Sequence, residues 1–392
     1  MSSLHFFSPC PRGLEPVLAE ELTALGAGDI ASTPGGVGFQ GDLALGYRVN
    51  LESRIATRVL LRLARRVYRN EQDVYDSVRK IDWRRWFDVD CSIRVDTSAV
   101  RCPLKSLDFV TLRIKDGVCD RFRADVGRRP DVDTQAPDVR IHAFLDEREV
   151  TIYLDTSGEP LFKRGLRGRV GEAPLKENLA AGIIRLSGWT PEEPFFDPMC
   201  GSGTFLLEAA QMALGIAAGS RRSFGFERLA NFDAALWERL KAAARNRERP
   251  VKSLAIFGAD KSGTELSKAR DALAATGLGE AVQLKQGNVI ELPAPAPWGV
   301  MVANPPYGVR IEEKEALAAL YPQLGDALKA RFTGWRCYFF TADLDLAKGI
   351  GLKASKRTPL YNGPLECRLF EFRIVAGSMR RRANDAQDEK AG

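Results

Sequence analysis

Histidine is nearly absent from this sequence of 392 residues, which contains only His5 and His142. A Ser-His-Asp or Cys-His catalytic mechanism therefore has few residues to draw on. The seven cysteines are scattered singly and form no Cys-x-x-Cys pair. Zinc-ligand spacing is absent, so we expect no metal site. An odd, dispersed set of cysteines is typical of proteins in the reducing cytoplasm.

Long apolar runs are also missing. Residues 1–16 contain no charged segment followed by an apolar stretch, so the sequence predicts no signal peptide. No apolar stretch reaches the roughly 20 residues that a membrane-spanning helix needs. We therefore expect a cytoplasmic protein that does not contact a membrane.

The sequence has only a small excess of basic over acidic residues. The net charge is +6, from 57 basic and 51 acidic residues, which does not by itself indicate a polyanionic partner. Basic residues do cluster at 62–69, 79–85 and 163–169. Each cluster is as typical of a solvated helix face or a hinge as of a nucleic-acid-binding surface.

Hydrophobic periodicity divides the chain into several α/β regions. Residues 1–60 predict a small α/β unit whose helix, over 13–25, ends at Gly26. Residues 61–160 predict a strand, a helix over 106–126 with Gly127 as its stop, and a hairpin from 140 to 154. A basic, glycine-rich linker is predicted at 161–172, and a charged, disordered tail at 377–392.

Residues 173–376 alternate between strands and helices. Candidate strands lie at 195–197, 254–260, 282–284, 299–303 and 335–341. This pattern predicts a mostly parallel sheet that helices cover on both faces. Asn362-Gly363 is a hairpin signal that predicts a final antiparallel strand, although Pro364 does not fit a simple two-residue turn there.

A glycine-rich segment follows the first of these strands. Residues 197–204, DPMCGSGT, open a helix over 205–213, so Gly201 and Gly203 allow a ligand to approach the backbone and the free N–H groups. No Gly-Lys-Ser/Thr follows, which excludes a P-loop, and Leu206 stands where a dinucleotide fingerprint has its third glycine. A tight turn without a ligand is the alternative.

Polar side chains end the next two strands. Asp260 is placed to hold both hydroxyls of a ribose, although capping the next helix is an equally good interpretation. It lies far beyond the usual interval of about 20 residues after the glycine loop, and an inserted helix over 231–249 accounts for the gap. Asn288 ends the third strand, where a side chain can reach an adenine ring.

The fourth strand runs into Asn304, Pro305, Pro306 and Tyr307. The Asn304 side-chain oxygen and the Pro305 carbonyl are two neighbouring acceptors that match an exocyclic amino group. Tyr307 offers a flat face on which a base can stack. Acceptors aimed at the amine hydrogens favour a tetrahedral nitrogen with its lone pair on the line of attack, so no histidine base is needed. A rigid turn that caps the strand is the alternative.

These two motifs, DPMCGSGT and NPPY in this order, resemble those of the S-adenosylmethionine-dependent amino-methyltransferases. Upstream segments are similar to the bacterial THUMP-containing RNA methyltransferases, and the closest type is the large-subunit ribosomal RNA guanine-N2 methyltransferase. These segments lie at 10–15, at 115–120 with 127–130, at 154–158 with 163–167, and at 173–177. The resemblance extends to about residue 375, but Leu166 and Lys176 replace a Tyr and an Arg of relatives.

The resemblance implies an α/β fold: a C-terminal Rossmann-like class I methyltransferase sheet with a terminal antiparallel hairpin, preceded by a ferredoxin-like unit (1–60) and a THUMP domain (61–160). It implies S-adenosylmethionine as cofactor. Asp260 would hold the ribose, Asn288 would lie near the adenine and Pro174 would close over the cofactor. Asn304, Pro305, Pro306 and Tyr307 would grip the target guanine. The residues implied for the methionine part are Asp197, Pro198, Cys200, Gly201, Gly203 and Thr204.

The implied function is transfer of a methyl group to N2 of a guanine in 23S ribosomal RNA, in a loop or an opened stem that allows the base to leave its helix. Transfer RNA as substrate is one alternative, and N6-adenine methylation of DNA is another. No part of the chain resembles a motif that reads the major groove of DNA, so DNA is the less favoured substrate. A non-catalytic RNA-binding protein that retains the methyltransferase fold is a third. We expect a monomer or a weak dimer.

Overall fold

The computed structural model describes residues 3–165, 175–305 and 311–375, with the backbone alone at 311–318 and at residue 347. The chain divides into two compact units. The first comprises the chain up to residue 172 together with residues 217–247, and the second comprises the remainder. Within the described ranges, none of the helices has the length and apolar character that a membrane crossing requires.

The strands are numbered in chain order. They are β1 (Leu4–Pro9), β2 (Gly28–Thr33), β3 (Gly36–Gly41), β4 (Leu60–Val67), β5 (Ile93–Ala99), β6 (Val139–Leu145), β7 (Glu149–Asp155), β8 (Phe195–Asp197), β9 (Ile256–Asp260), β10 (Gln283–Gln286), β11 (Gly299–Ala303), β12 (Trp335–Thr341), β13 (Lys356–Asn362) and β14 (Leu365–Arg373).

The helices follow the same order. They are α1 (Glu15–Ala24), α2 (Leu43–Glu52), α3 (Glu71–Arg79), α4 (Leu107–Val126), α5 (Glu177–Leu186), α6 (Thr204–Ala213), α7 (Ala234–Arg245), α8 (Gly263–Ala275), α9 (Ile311–Arg331) and α10 (Leu346–Gly349). Short 3₁₀ turns lie at Trp83–Arg85, Leu161–Lys163 and Gly225–Arg228.

The first unit contains a seven-stranded sheet in the order β2-β3-β1-β4-β7-β6-β5. Strand β4 joins its two halves, because Leu61 pairs with Phe6 of β1 on one side and with Leu154 of β7 on the other. The predicted hairpin is confirmed, since β6 and β7 pair antiparallel. The basic cluster at 62–69 starts on β4, so a helix face was the wrong expectation for Arg62, Arg65 and Arg66.

Helix α4 confirms the prediction for residues 106–126. The Ser106 side chain caps it by accepting a hydrogen bond from the Phe109 N–H at 3.2 Å. Gly127 ends it with a φ of 73°, a left-handed conformation that glycine adopts without steric cost. The apolar side chains at i, i+4 spacing on this helix are buried: Val110, Ile114, Val118 and Phe122.

Residues 217–247 follow α6 in the sequence but fold with the first unit. Within them the helix predicted over 231–249 is the shorter α7. The Tyr47 ring of α2 stacks on Phe226 with a centroid separation of 4.1 Å and meets the edge of Trp237 at 6.2 Å. The Arg222 guanidinium donates to the carbonyls of Pro160 and Ser157 at 2.6 and 3.1 Å. Aromatic packing and this cation therefore attach the insertion to the first unit.

The segment predicted as a linker, 161–172, starts within the first unit. The Leu161 N–H donates to the Thr57 carbonyl at 2.9 Å. Arg164 is buried, and its guanidinium donates to the carbonyls of Leu161 and Arg54 at 3.2 and 2.8 Å. Residues 166–172, like the predicted tail at 377–392, lie outside the described residues.

The second unit is built on the sheet β10-β9-β8-β11-β12-β14-β13. Strands β10, β9, β8, β11 and β12 are parallel, whereas β14 pairs antiparallel with β12. This order confirms the predicted Rossmann-like class with its terminal hairpin. The chain runs from β8 towards β10 and then returns to β11, so the strand order reverses between β8 and β11. Ligands bind at such a switch point, outside the carboxyl ends of the strands.

The turn between β13 and β14 differs from the prediction by one residue. Asn362 pairs with Leu365, so the two loop residues are Gly363 and Pro364 rather than Asn362 and Gly363. Gly363 has a φ of 62°. Glycine at the first central position followed by the fixed φ of proline suits a type II′ turn. Because Thr341 pairs with Arg368, this turn lies at the carboxyl edge of β12.

Leu206 on α6 and Gly258 on β9 explain how the helix packs without the third glycine of a dinucleotide fingerprint. A Cβ at Gly258 would lie 2.4 Å from Leu206 Cδ1 and 2.8 Å from Leu284 Cδ2. Leu206 is fully buried, so a side chain at position 258 would compete with it for the same space. The small residue that allows close contact between helix and sheet is therefore on the strand, two residues before Asp260.

We expect Gly258→Val to lower the free energy of unfolding of the second unit by about 1–3 kcal/mol, because overpacking forces side chains from their rotamers. Chemical denaturation checks this. The control is Gly279→Ala, where a Cβ would meet nothing within 4 Å. Leu206→Ala should restore part of the loss in the double variant; equal stability of Gly258→Val and the wild type would contradict the account.

Candidate functional site

The loop from β8 to α6 presents bare backbone at the carboxyl edge of the second sheet. Gly201 and Gly203 have φ values of 50° and 80°, a region that residues with a Cβ rarely adopt. The Cys200 N–H donates to the Ala259 carbonyl at 2.9 Å and holds the loop against β9. A Cβ at Gly201 would meet no atom within 4 Å, so the space in front of the loop is open.

Asp260 lies at the end of β9, beside this loop. Its Oδ2 accepts a hydrogen bond from the Gly201 N–H at 3.0 Å, and its Oδ1 accepts one from the Ser262 N–H at 2.8 Å. Ser262, not Asp260, is the residue whose side chain caps α8. A carboxylate offers about four acceptor positions, so two remain for the paired hydroxyls of a ribose.

Asp197 lies at the end of β8 and is almost fully buried, with 1% of its surface exposed. Its Oδ1 accepts a hydrogen bond from the Met199 N–H at 3.2 Å. Burial raises the pKa of Asp197 well above its usual range, and the negative charge of Asp260 adds to the effect. A cationic group placed between these two carboxylates would favour the ionised form of both.

The end of β10 is attached to the same site. The Gly287 N–H donates to the Asp260 carbonyl at 3.0 Å, which places Asn288 beside Asp260. The Asn288 side-chain oxygen accepts a hydrogen bond from the Ile290 N–H at 3.3 Å. Its amide nitrogen is a donor that suits a ring nitrogen of a purine.

The remaining residues of the glycine loop have supporting positions. Pro198 is buried directly after β8, and Gly203 and Thr204 are buried at the start of α6. Burial, followed by the charges of Asp197 and Asp260, raises the pKa of the Cys200 thiol. A thiol held protonated in this way is a poor nucleophile, so Cys200 shapes the loop and has no covalent role.

Asn304 and Pro305 follow β11, on the other side of the switch point. Met301 pairs with Phe196, so extending the parallel register brings Asp197 next to Val302, two residues before Asn304. Asn304 is half-buried and Pro305 is buried. The glycine loop and the Asn304-Pro305 acceptors thus lie side by side at one edge of the sheet. Pro306 and Tyr307, like Pro174, lie outside the described residues.

Sequence reasoning overlooked two residues near this edge. Gly258 was detectable, because an isolated glycine inside a strand indicates close approach by another group. Asp343 lies two residues beyond the end of β12, and only the strand order shows that β12 is the neighbour of β11. In the parts of the chain that the structure describes, no group of three or more His, Cys, Asp or Glu side chains is arranged to hold a metal ion.

Many basic side chains of the first unit have partners within it. Arg113 lies over the Tyr75 ring at 4.3 Å, and Arg128 pairs with Asp90 at 2.6 Å. Arg84 and Arg85 line a groove that also contains two carboxylates and Arg121. Ion pairs of exposed side chains are weak, so these cations remain available to a polyanion. That the first unit contacts RNA through them stays a prediction.

Three protein-family models match this chain. The model described as "RMKL-like, methyltransferase domain" matches residues 164–371, slightly more than half of the chain. The THUMP domain model matches residues 68–155, and the model of an RlmL ferredoxin-like domain matches residues 5–60.

Curated relatives and a solved structure agree with these models. "Putative RNA methyltransferase slr0064" of Synechocystis sp. is 39% identical over 94% of this chain and 96% of its own length. "Ribosomal RNA large subunit methyltransferase K/L" of Aeromonas salmonicida is 40% identical over 98% of this chain, which spans only 56% of that protein. A crystal structure described as "a putative methyltransferase complexed with SAH" is 32% identical, covers 95% of this chain and 99% of its own, and has a TM-score of 0.87.

Proposed function

We propose a function on the premise that this chain belongs to the family of RMKL-like methyltransferases with a THUMP domain. In the proposed reaction it methylates the exocyclic N2 of a guanine in 23S ribosomal RNA, with S-adenosylmethionine as methyl donor. The observation that carries this proposal is the position of the Asn304-Pro305 acceptors beside the glycine loop, across the switch point of a methyltransferase sheet. The boundaries 1–60, 61–160, 161–172, 173–376 and 377–392 are the domain division that we propose with it.

The residues at this edge fit S-adenosylmethionine. When bound, this cofactor supplies an electrophilic methyl group on a positively charged sulfur. The open backbone at Gly201 leaves room for its methionine part, whereas the lack of a Cβ at Gly203 allows Ala269 of α8 to pack against the loop. Asp260, and Asp197 once it is ionised, supply negative charge next to a cation, and Asp260 has acceptor positions for the ribose hydroxyls. Asn288, beside Asp260, is the residue that we assign to the adenine.

Asn304 and Pro305 would orient the amine that is methylated. The lone pair of an aromatic amine is delocalised into the ring, so the free amine is a poor nucleophile. Hydrogen bonds from its two N–H groups to the Asn304 oxygen and the Pro305 carbonyl favour a tetrahedral nitrogen and localise the lone pair. Because these acceptors are held at the end of a fully buried strand, they need no reorganisation during the reaction. We assign stacking against the base to Tyr307 and further support of the clamp to Pro306.

The first unit would bind the RNA. Its ferredoxin-like and THUMP halves share one sheet and carry the basic residues of β4, α4 and the turn at Trp83–Arg85. We favour 23S over transfer RNA because the K/L relatives are named for the large ribosomal subunit. We place the reaction in the cytoplasm, where ribosomal RNA is available to a bacterial enzyme of this family.

A methyl-transfer assay tests the proposal. The protein and S-adenosylmethionine are incubated separately with unmodified 23S RNA, transfer RNA and DNA, and the digested nucleosides are identified by mass spectrometry. We expect N2-methylguanosine from 23S RNA alone. N6-methyladenine from DNA would overturn the assigned substrate. No product from any of the three, with S-adenosylmethionine binding absent in calorimetry, would favour a non-catalytic RNA-binding protein.

Cofactor affinity should depend on pH through Asp197. Its pKa is raised by burial, so the carboxyl ionises at pH values above the ordinary aspartate range. The ionised form attracts the cationic cofactor, and affinity should therefore rise with pH across that ionisation. Calorimetric titrations at a series of pH values check this, and Asp197→Asn should remove most of the dependence. An identical pH profile in Asp197→Asn would assign the effect to another group.

A further inference from the structure

The two faces of the first sheet differ in burial. A row of paired apolar residues crosses β1, β4, β7 and β6, and its members are Phe6, Leu61, Leu154 and Ile141. Each of them is at most 4% exposed, and the Phe6 ring packs against Gly46 of α2. This face therefore carries the core of the unit.

The opposite face of the same strands carries aromatic and basic side chains. Side chains alternate between the two faces along a strand, so Phe7 of β1 and Arg62 of β4 point away from the core. Arg62 pairs with Tyr153 of β7, and the ring centroids of Phe7 and Tyr153 are 6.2 Å apart. All three side chains are partly exposed, and His5, two residues before Phe7, is exposed. The surface formed by Phe7, Arg62 and Tyr153 is called the aromatic face below.

The Phe7 ring rests on a residue that has no side chain. A Cβ at Gly36 of β3 would lie 2.5 Å from Phe7 Cζ and 2.9 Å from Cε1, so the ring packs directly on the backbone of that strand. Gly38, which pairs with Phe7, also leaves the surface beside the ring without a side chain. A glycine inside a strand often marks a site where a ligand approaches the sheet closely. The two glycines allow the ring to lie low on the sheet and leave room over β3 for a flat ligand.

Arg62 gives the aromatic face a positive charge. In the ranges that the structure describes, its guanidinium makes no hydrogen bond or ion pair. Arg65, on the same face, donates to Glu149 at 2.9 Å, but both side chains reach solvent, and such pairs are weak. Asp96, an acid further along this face, pairs with Arg94 at 2.8 Å. The charge beside the two rings is therefore positive and accessible to an anion.

We propose that the aromatic face binds a single-stranded segment of the RNA, with Phe7 stacked on an unpaired base and Arg62 paired with a neighbouring phosphate. The inference rests on the proposed function, because it takes RNA as the substrate. Every base has a flat π face, so an aromatic ring binds a single strand with little dependence on its sequence. A base inside an A-form helix is stacked on its neighbours and cannot reach the ring, so the aromatic face selects unpaired stretches.

Phe7→Leu and Phe7→Tyr separate stacking from packing. Leucine keeps an apolar contact with the Gly36 backbone but has no flat ring, whereas tyrosine keeps the ring. The probe is a fluorescently labelled RNA of about 12 nucleotides without self-complementarity, a length that suits a single-strand-binding surface. Fluorescence anisotropy gives its Kd. We expect Phe7→Leu to raise this Kd by about fivefold to hundredfold and Phe7→Tyr to stay within about twofold of the wild type.

The same RNA in a blunt duplex is the matched control ligand. Its bases are paired, so Phe7→Leu should leave its affinity within about twofold of the wild-type value. Equal Kd values of Phe7→Leu and the wild type for the single strand would overturn the inference. An equal loss for single strand and duplex would do so as well, because it would indicate a folding defect or a general effect on RNA binding.

Arg62→Gln tests the phosphate contact, and Arg66→Gln is its control. Arg66 is exposed on the same strand but pairs with Val150, whose side chain lies in the core, so it belongs to the opposite face. Arg62→Gln should weaken binding of the single strand by about threefold or more. It should also reduce the slope of log K against log salt by about 0.7, the value for one phosphate of a single strand. Equal effects of the two variants would mean that only net charge matters and would overturn the assigned contact.

Two results with the wild type would also contradict the inference. Absence of binding to the single-stranded probe would show that the aromatic face is not an RNA surface. Dimers in sedimentation velocity that Phe7→Leu dissociates would show that it is a contact between two copies of this chain.

Failure of the inference is distinguishable from failure of the proposed function, because the binding assay requires neither cofactor nor methyl transfer. If the wild type makes N2-methylguanosine from 23S RNA and Phe7→Leu binds the single strand as tightly as the wild type, the proposed function stands and the inference is wrong. If the single strand binds through Phe7 and Arg62 but no substrate yields N2-methylguanosine, the aromatic face is confirmed and the assigned reaction is wrong.

Discussion

Asn304→Ala is expected to lower kcat by at least about 100-fold, the usual loss when one placed dipole of a transition-state site is removed. The hydrogen bond from the Asn304 oxygen strengthens as the amine nitrogen becomes tetrahedral, so the variant loses stabilisation of the transition state more than of the bound substrate. The Kd for S-adenosylhomocysteine should stay within about twofold of the wild-type value, because Asp197, Asp260 and the glycine loop are unchanged.

Single-turnover methyl transfer to unmodified 23S RNA measures this effect, and calorimetry measures cofactor binding on the same samples. Asn246→Ala is the matched control, since Asn246 is exposed at the end of α7 in the first unit. If Asn304→Ala transfers methyl groups as fast as Asn246→Ala, the assigned clamp on the amine is wrong. If cofactor binding falls together with kcat, Asn304 supports the loop and does not act on the target base.

Asp260→Ala is expected to raise the Kd for S-adenosylmethionine by roughly tenfold to a hundredfold. A hydrogen bond to a charged group contributes about 1.5–3 kcal/mol, and each 1.4 kcal/mol corresponds to about tenfold in Kd. The variant also leaves the Gly201 and Ser262 N–H groups without their acceptor, which loosens the glycine loop. Both effects reduce binding, and saturating cofactor should restore much of the rate.

Two further variants separate these contributions. Asp260→Asn keeps one oxygen for a backbone N–H and loses one acceptor together with the charge, so it should bind with intermediate affinity. Asp271→Ala, an exposed acid on α8, controls for the loss of one negative charge from the unit. A Kd in Asp260→Ala equal to that in Asp271→Ala would remove Asp260 from the cofactor site.

The order of elements in the second unit was predictable because each has a strong local signal. The run Val300–Ala303 is entirely apolar and is fully buried in β11, as a central parallel strand requires. The helix at 106–126 was also predictable, since its apolar spacing, its Ser106 cap and its Gly127 stop agree with one another. Consistency between such local signals is the condition under which sequence reasoning succeeds.

Three features were not accessible because they depend on contacts between distant residues. The attachment of residues 217–247 to the first unit follows from stacking between Tyr47 and Phe226, which are far apart in the sequence. The turn at Gly363-Pro364 follows from the pairing of Asn362 with Leu365, which moves the expected turn by one residue. The place of Gly258 opposite Leu206 follows from how α6 lies on β9.

By itself the sequence determined the chemical groups of the candidate site. Two carboxylates, a glycine loop and a pair of neighbouring acceptors follow from residue identity and from positions at the ends of strands. The tertiary structure alone decided which of these groups are neighbours. Strand order is set by pairing between distant segments, and it brings β11 between β8 and β12. That order places Asn304, at the end of β11, between the ends of β8 and β12, because parallel neighbouring strands present their carboxyl ends at a single edge.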